Sequence, residues 1–105
     1  MRAAIEQGDL IRITRSSVLF LVISSDYYNQ SGLVVVCPAV SDAEPDALHV
    51  PYRTDAGKGV ILCEQLTSVS AAVRGYIKKD HLKANDLLEV IYRVQSIFDL
   101  FGHAE

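Results

Sequence analysis

Over roughly the first four fifths of the chain, apolar residues clump or alternate as short strands do. Over the last fifth they recur at three- and four-residue steps, as on a helix face. "GDLIRIT" sets Leu10, Arg12 and Thr14 against Ile11 and Ile13, a short alternating strand. "VLFLVIS", from Val18, is a buried second strand. "SDYYNQSG" holds Asp26, Asn29 and Gly32, which favour a turn or a single helical turn. "LVVVCPAVS" gives a third buried strand, with Pro38 near its end and so at an edge or a bulge. An acidic loop follows in "DAEPDA", then a short strand "LHVPY" stopped by Pro51, then a glycine-rich turn "RTDAGKG". "VILCEQLTSVS" predicts one further strand that turns at Ser68–Ser70. "AAVRG" predicts a helical turn closed by Gly75, and "YIKK" a last short strand.

From about Ala84 the period changes. Leu87, Leu88, Val90, Ile91, Val94, Ile97, Phe98 and Phe101 form the stripe of an amphipathic helix, with Asn85 or a neighbour as cap and Gly102 as its end. Closely spaced strands followed by one helix predict a mainly β protein with α (α+β), a compact antiparallel sheet or small barrel with helix packed outside. Neither repeats nor linkers interrupt the chain, so residues 1–105 read as a single domain.

Half of the residues are hydrophobic and the mean hydropathy is +0.19, high for a small chain. Its apolar runs fall far short of the ~20 residues that span a bilayer, and "MRAAIEQGD" has no signal-like apolar stretch. The expectation is a cytoplasmic protein that spends its apolar surplus on an oligomer interface. Cys37 and Cys63 sit inside apolar strands, which predicts buried thiols rather than a disulfide or a metal pair. Of the charges in residues 1–50, three are basic (Arg2, Arg12, Arg15) and six acidic. That balance argues against tight nonspecific binding to a polyanion, though a local site is compatible with it.

Zinc spacing, a phosphate loop, a nucleophile elbow and a dinucleotide fingerprint are all missing, and "GKG" at Gly57–Gly59 reads as a hairpin turn. His49 on its strand is either a partly exposed structural histidine or a general base. Glu64 ends an apolar strand, where a carboxylate needs partners; it either satisfies backbone donors at a turn or lines a pocket with Gln65. Lys78, Lys79 and Lys83 read as a solvated basic face.

The ordered set "GDLIRI", "VLFLVISSDYYN", "GLVVVCPAVS", "HVPY", "GVILCEQLTSV" and "VRGYIKKDHLKANDLLEVIYRV" resembles the MazF/PemK family of toxins from type II toxin–antitoxin pairs. The resemblance covers nearly the whole chain. It implies a small SH3-like antiparallel barrel with a C-terminal amphipathic helix, a homodimer, an antitoxin protein as partner, and no cofactor or metal. In active members it implies endoribonuclease cleavage of RNA, which needs a base at the 2′-hydroxyl, an acid at the leaving oxygen and a cation at the phosphate.

Carried over by position, the family arginine opening the second strand falls near Val18, and the family threonine of "PIT" falls on Val40, with Ser41 next to it. The family carboxylate persists as Glu64, and the loop between the first two strands shrinks to "TRSS". The resemblance therefore suggests Arg15 as the phosphate-stabilising cation, Ser41 as an orienting hydroxyl and Glu64 or His49 for proton transfer. Arg12, Ser16 and Ser17 are the RNA-binding candidates beside them. The alternative is a binding module on the same barrel, catalytically impaired, that takes an antitoxin-like peptide or a protein target.

Overall fold

The computed structural model of the protein describes residues 4–98. Its strands are β1 (Asp9–Ile13), β2 (Leu19–Val22), β3 (Leu33–Val40), β4 (His49–Thr54), β5 (Gly57–Leu62), β6 (Thr67–Ser70) and β7 (Tyr76–His81). The helices are α1 (Asp26–Asn29), α2 (Ala71–Arg74) and α3 (Ala84–Ile97). All the pairings are antiparallel; the sheet runs β4-β5-β3-β2-β1-β7, and β6 joins β3 beside it. The sheet curls into a half-barrel closed at one side by α3, the mainly β architecture expected from the sequence.

Both faces of the curled sheet are packed, which explains strands as uniformly apolar as "VLFLVI". One cluster holds Leu10, Leu21, Cys37, Ile61, Cys63 and Val90 from α3, among others; the opposite one holds Ile11, Ile13, Val22, Val34, Val36 and Ala71. Alternate residues of β1, β2 and β3 thus serve different cores. The two cysteines are free and buried. Burial is the main cause that pushes the Cys37 thiol up to about 12 and the Cys63 thiol up to about 11.

Several local expectations change. Pro51 does not stop β4, which continues to Thr54 with Pro51 opposite Val60. β4 is an edge strand, where a missing N–H costs the sheet nothing on its open side. The stretch "VILCEQLTSVS" is not one strand. β5 begins earlier, at Gly57, and a 3₁₀ turn over Cys63–Gln65 separates it from β6. Consequently β3 is paired by β6 through Leu33–Val36 and by β5 at Ala39 and Val40, and Pro38 occupies the gap between them.

The helix expectation is also sharpened. Lys83 rather than Asn85 holds the N-cap position, without a side-chain cap. Leu87, Val90, Ile91 and Val94 pack on the core, while Leu88, Ile97 and Phe98 are exposed. The i, i+3, i+4, i+7 set takes the sheet and its neighbours turn away. Phe101 and Gly102 lie outside the described residues.

Candidate functional site at the sheet rim

β1 and β2 are joined by a tight turn in which the Ser16 N–H donates to the Ile13 carbonyl at 2.9 Å. The Ser16 hydroxyl then accepts from the Val18 N–H at 3.2 Å, aiming the chain into β2. Where β2 begins, β3 ends and β5 begins, the rim of the sheet encloses a hollow of about 370 Å³ lined by Ser17, Val18, Ser41, Asp42, Tyr52 and Lys58, among others. Val18 is 38% exposed there. The fold thus brings together the start of the second strand and the residues after "CPA", which are far apart in sequence.

This hollow continues along the β4–β5 hairpin. A second one of about 450 Å³ shares Ser41, Tyr52 and Lys58 with it and adds Arg53, Pro51 and Asp86. A third, of about 250 Å³, shares Pro51 and Asp86 and ends at His49 and Arg93. Together they make a furrow along one end of the sheet, floored midway by the buried Tyr52 ring. Burial, and then the charge of Asp80, raise the Tyr52 hydroxyl above its ordinary value.

At the far end, His49 is held between two carboxylates. Its Nε2 lies 2.9 Å from Glu64 Oε2 and its Nδ1 lies 3.2 Å from Asp46 Oδ2. The hydrogen bond with Glu64 is the largest cause raising His49 above its ordinary value, and the same bond is the largest cause lowering Glu64. Both ring nitrogens are therefore engaged, and a protonated imidazole suits the pair of acceptors. The Asp46 Oδ1 also accepts from the Leu48 N–H at 2.9 Å, tightening the turn that carries His49. Arg93 of α3 donates to the Ala47 carbonyl at 2.5 Å while paired with Glu89 at 2.6 Å, so the acidic loop is pinned to the helix.

The other sequence candidates are dispersed. Arg15 is exposed at the tip of the β1–β2 turn with φ 73°, and does not line the rim hollow. Arg12 lies within β1, half-buried, opposite Leu19 and Ile77. Ser16 is spent on the turn, whereas Ser17 and Ser41 line the same hollow. The hollow also takes in Lys58, Asp42 and Tyr52, which the sequence does not single out as candidates. The signal for Lys58 was present in "GKG", read as turn residues alone; its place depends on which strand ends β5 adjoins, which the local pattern does not state.

Among the described residues, Glu6, Asp9 and His81 bring potential metal ligands within 4.8 Å of one another. The buried Asp9 carboxylate, however, already has Lys78 Nζ at 3.1 Å, His81 Nδ1 at 2.8 Å and the Glu6 N–H at 2.8 Å. An ammonium beside it does the work a cation would do, and the cluster ties the N-terminal segment to β7.

Residues 12–98 match the model of a family described as PemK-like, MazF-like toxin of type II toxin-antitoxin system. Among solved structures, MazF in the MazE–MazF complex of Deinococcus radiodurans (Form-I) superposes with a TM-score of 0.85 at 24% identity, covering 94% of this chain and 100% of that one. Form-III of that complex gives 0.80 at 26% identity, covering 91% and 97%. An endoribonuclease in complex with its cognate antitoxin from a mycobacterial species gives 0.80 at 12% identity, covering 92% and 97%. A search of curated proteins by sequence found no match.

Proposed function

Since the chain belongs to the PemK-like, MazF-like toxin family of type II toxin–antitoxin systems, we propose that it is the toxin of such a pair, a metal-independent endoribonuclease. On this reading it acts in the cytoplasm as a homodimer and is held in check by an antitoxin protein. Similar solved chains are described as an endoribonuclease with its cognate antitoxin and as MazE–MazF complexes, which supports the partner.

The observation that carries the reading is the rim hollow, where Ser17, Ser41 and Asp42 meet at the start of β2. Cleavage without a metal proceeds by attack of the RNA 2′-oxygen on phosphorus and loss of the 5′-oxygen. The 2′-hydroxyl proton goes to a base, the 5′-oxygen receives a proton, and a 2′,3′-cyclic phosphate and a 5′-hydroxyl result. Asp42 is the carboxylate in the hollow able to take the first proton. Ser41 and Ser17 are hydroxyls able to donate to phosphate oxygens. His49, bound through one ring nitrogen to Glu64 and through the other to Asp46, serves this site by fixing β4 and its loop.

Incubation of the purified protein with a long mixed RNA, with EDTA present, tests this reading. Discrete cuts ending in 2′,3′-cyclic phosphate are expected, slowed about 10²-fold in Ser41→Ala. RNA left intact at high enzyme excess overturns it. Light scattering should give twice 11.6 kDa, and a stable monomer counts against the homodimer.

A second reading has its own observation. Val18 presents an apolar side chain, 38% exposed, at the position where the resemblance places the family arginine. A binding module that has lost cleavage would leave RNA whole and retain an antitoxin-like peptide.

A further inference from the structure

We propose that Lys58 supplies the cation that meets the RNA phosphate at the rim hollow, an inference that rests on the nuclease reading above. Its place follows from strand register. Val60 pairs with Val40 of β3, and Lys58 lies two residues before Val60 on β5, so it shares Val40's face of the sheet. From Val40, one more strand spacing leads to the start of β2, so the Lys58 backbone stands about two spacings across the sheet and two residues along it, ~12 Å, from Val18. A four-carbon stem ending in a mobile ammonium suits that gap.

The hairpin is held close enough for this to work. A side chain at Gly59 would put its Cβ 2.7 Å from the Val40 carbonyl and 2.9 Å from the Tyr52 hydroxyl, so glycine there lets β5 press onto the end of β3. Lys58 lines both the rim hollow and its continuation, with Ser41 and Tyr52 common to the two. Among the described residues Lys58 makes no ion pair, although Asp42 lines the same hollow. The other basic side chains near the furrow differ. Arg93 is committed to Glu89 and Ala47, and Arg53, opposite Lys58, lines the continuation but not the rim hollow. Arg15 lines neither.

The test separates binding from cleavage. Binding of a fluorescent pool of mixed-sequence 2′-O-methyl RNA, which cannot be cut, is followed by anisotropy across a salt series. Loss of one phosphate contact in Lys58→Ala should reduce the slope of log K against log salt by about 0.7. Lys58→Arg should keep the slope, and Arg15→Ala and Lys79→Ala should leave it unchanged. On cleavable RNA, Lys58→Ala should lower the rate by about 10²–10³-fold, with Lys58→Arg recovering most of it. A wild-type slope and rate in Lys58→Ala overturn the inference, as does a loss that appears in Arg15→Ala instead. A wild type that binds through Lys58 yet leaves cleavable RNA whole keeps the phosphate contact and sinks the nuclease reading; one that binds no RNA sinks both.

Discussion

His49 Nε2 and Glu64 Oε2 stand 2.9 Å apart, linking the edge strand β4 to the 3₁₀ turn that breaks β5 from β6. The link is strongest when the imidazole is protonated and the carboxylate is not. His49 is raised above its ordinary 6.5 and Glu64 lowered below its ordinary 4.5, each first by this bond.

A histidine raised on folding stabilises fully below its unfolded value and stops doing so as pH rises through its folded value. A carboxylate lowered on folding stabilises above its unfolded value and loses this as pH falls through its folded one. The pair therefore contributes most between pH 4.5 and 6.5 and fades on either side. The gap in urea midpoint between wild type and His49→Gln should be widest at about pH 5.5 and shrink by about pH 8.5. A gap that grows with pH would contradict the linkage. In a Glu64→Gln background most of that gap should vanish, the remainder being the contact of His49 with Asp46.

Arg15 occupies the left-handed region, φ 73°, at the third position of the β1–β2 turn. A side chain there costs about 1–2 kcal/mol, which glycine avoids at an entropic cost of about 0.5–1 kcal/mol. Arg15→Gly should be neutral or slightly stabilising, and Arg15→Val should destabilise by at least about 1 kcal/mol. Thermal unfolding of the three proteins decides it, and an Arg15→Val protein as stable as wild type would show that the turn relaxes.

These two sites show what the pattern of residues did and did not disclose. Strand existence followed from apolar runs, because both faces of the curled sheet bury them, and Cys37 and Cys63 were legible as buried thiols for the same reason. The break at Cys63–Gln65 was not legible, since "ILCEQL" carries no glycine or proline to mark it; the His49–Glu64 bond and the packing under α3 define it. Ser17 and Ser41, expected from the resemblance, do lie at one hollow. The place of Lys58 at that hollow was not legible, since it depends on β5 lying beside the end of β3.

Asp9 is 3% exposed, ion-paired with Lys78 and hydrogen-bonded with His81, both of which keep contact with water. It also accepts from the Glu6 N–H at 2.8 Å. Asp9→Ala removes an acceptor shared by three donors and should destabilise by about 1–3 kcal/mol. Lys78→Met, which leaves Asp9 with His81 and Glu6, should cost less. Urea denaturation ranks the two, and an Asp9→Ala protein with an unchanged midpoint would mean that water replaces the lost acceptor.

Gly59 decides how closely the β4–β5 hairpin lies on β3. Its Cβ, were there one, would meet the Val40 carbonyl at 2.7 Å, and a backbone atom in a paired strand has little room to yield. Gly59→Ala should therefore destabilise by about 1–3 kcal/mol, as crowding a packed region does. It should also shift β5 outward and carry Lys58 away from Ser41. Gly57, the first residue of β5, where an added Cβ would meet nothing within 4 Å but φ is 158°, provides the contrast, since Gly57→Ala strains the start of the strand and not the contact with β3. If phosphate binding at the rim depends on this approach, Gly59→Ala weakens RNA binding under conditions where the variant remains folded by circular dichroism, and Gly57→Ala does not. Equal binding by a folded Gly59→Ala protein would show that the hairpin's distance from β3 does not set the position of Lys58.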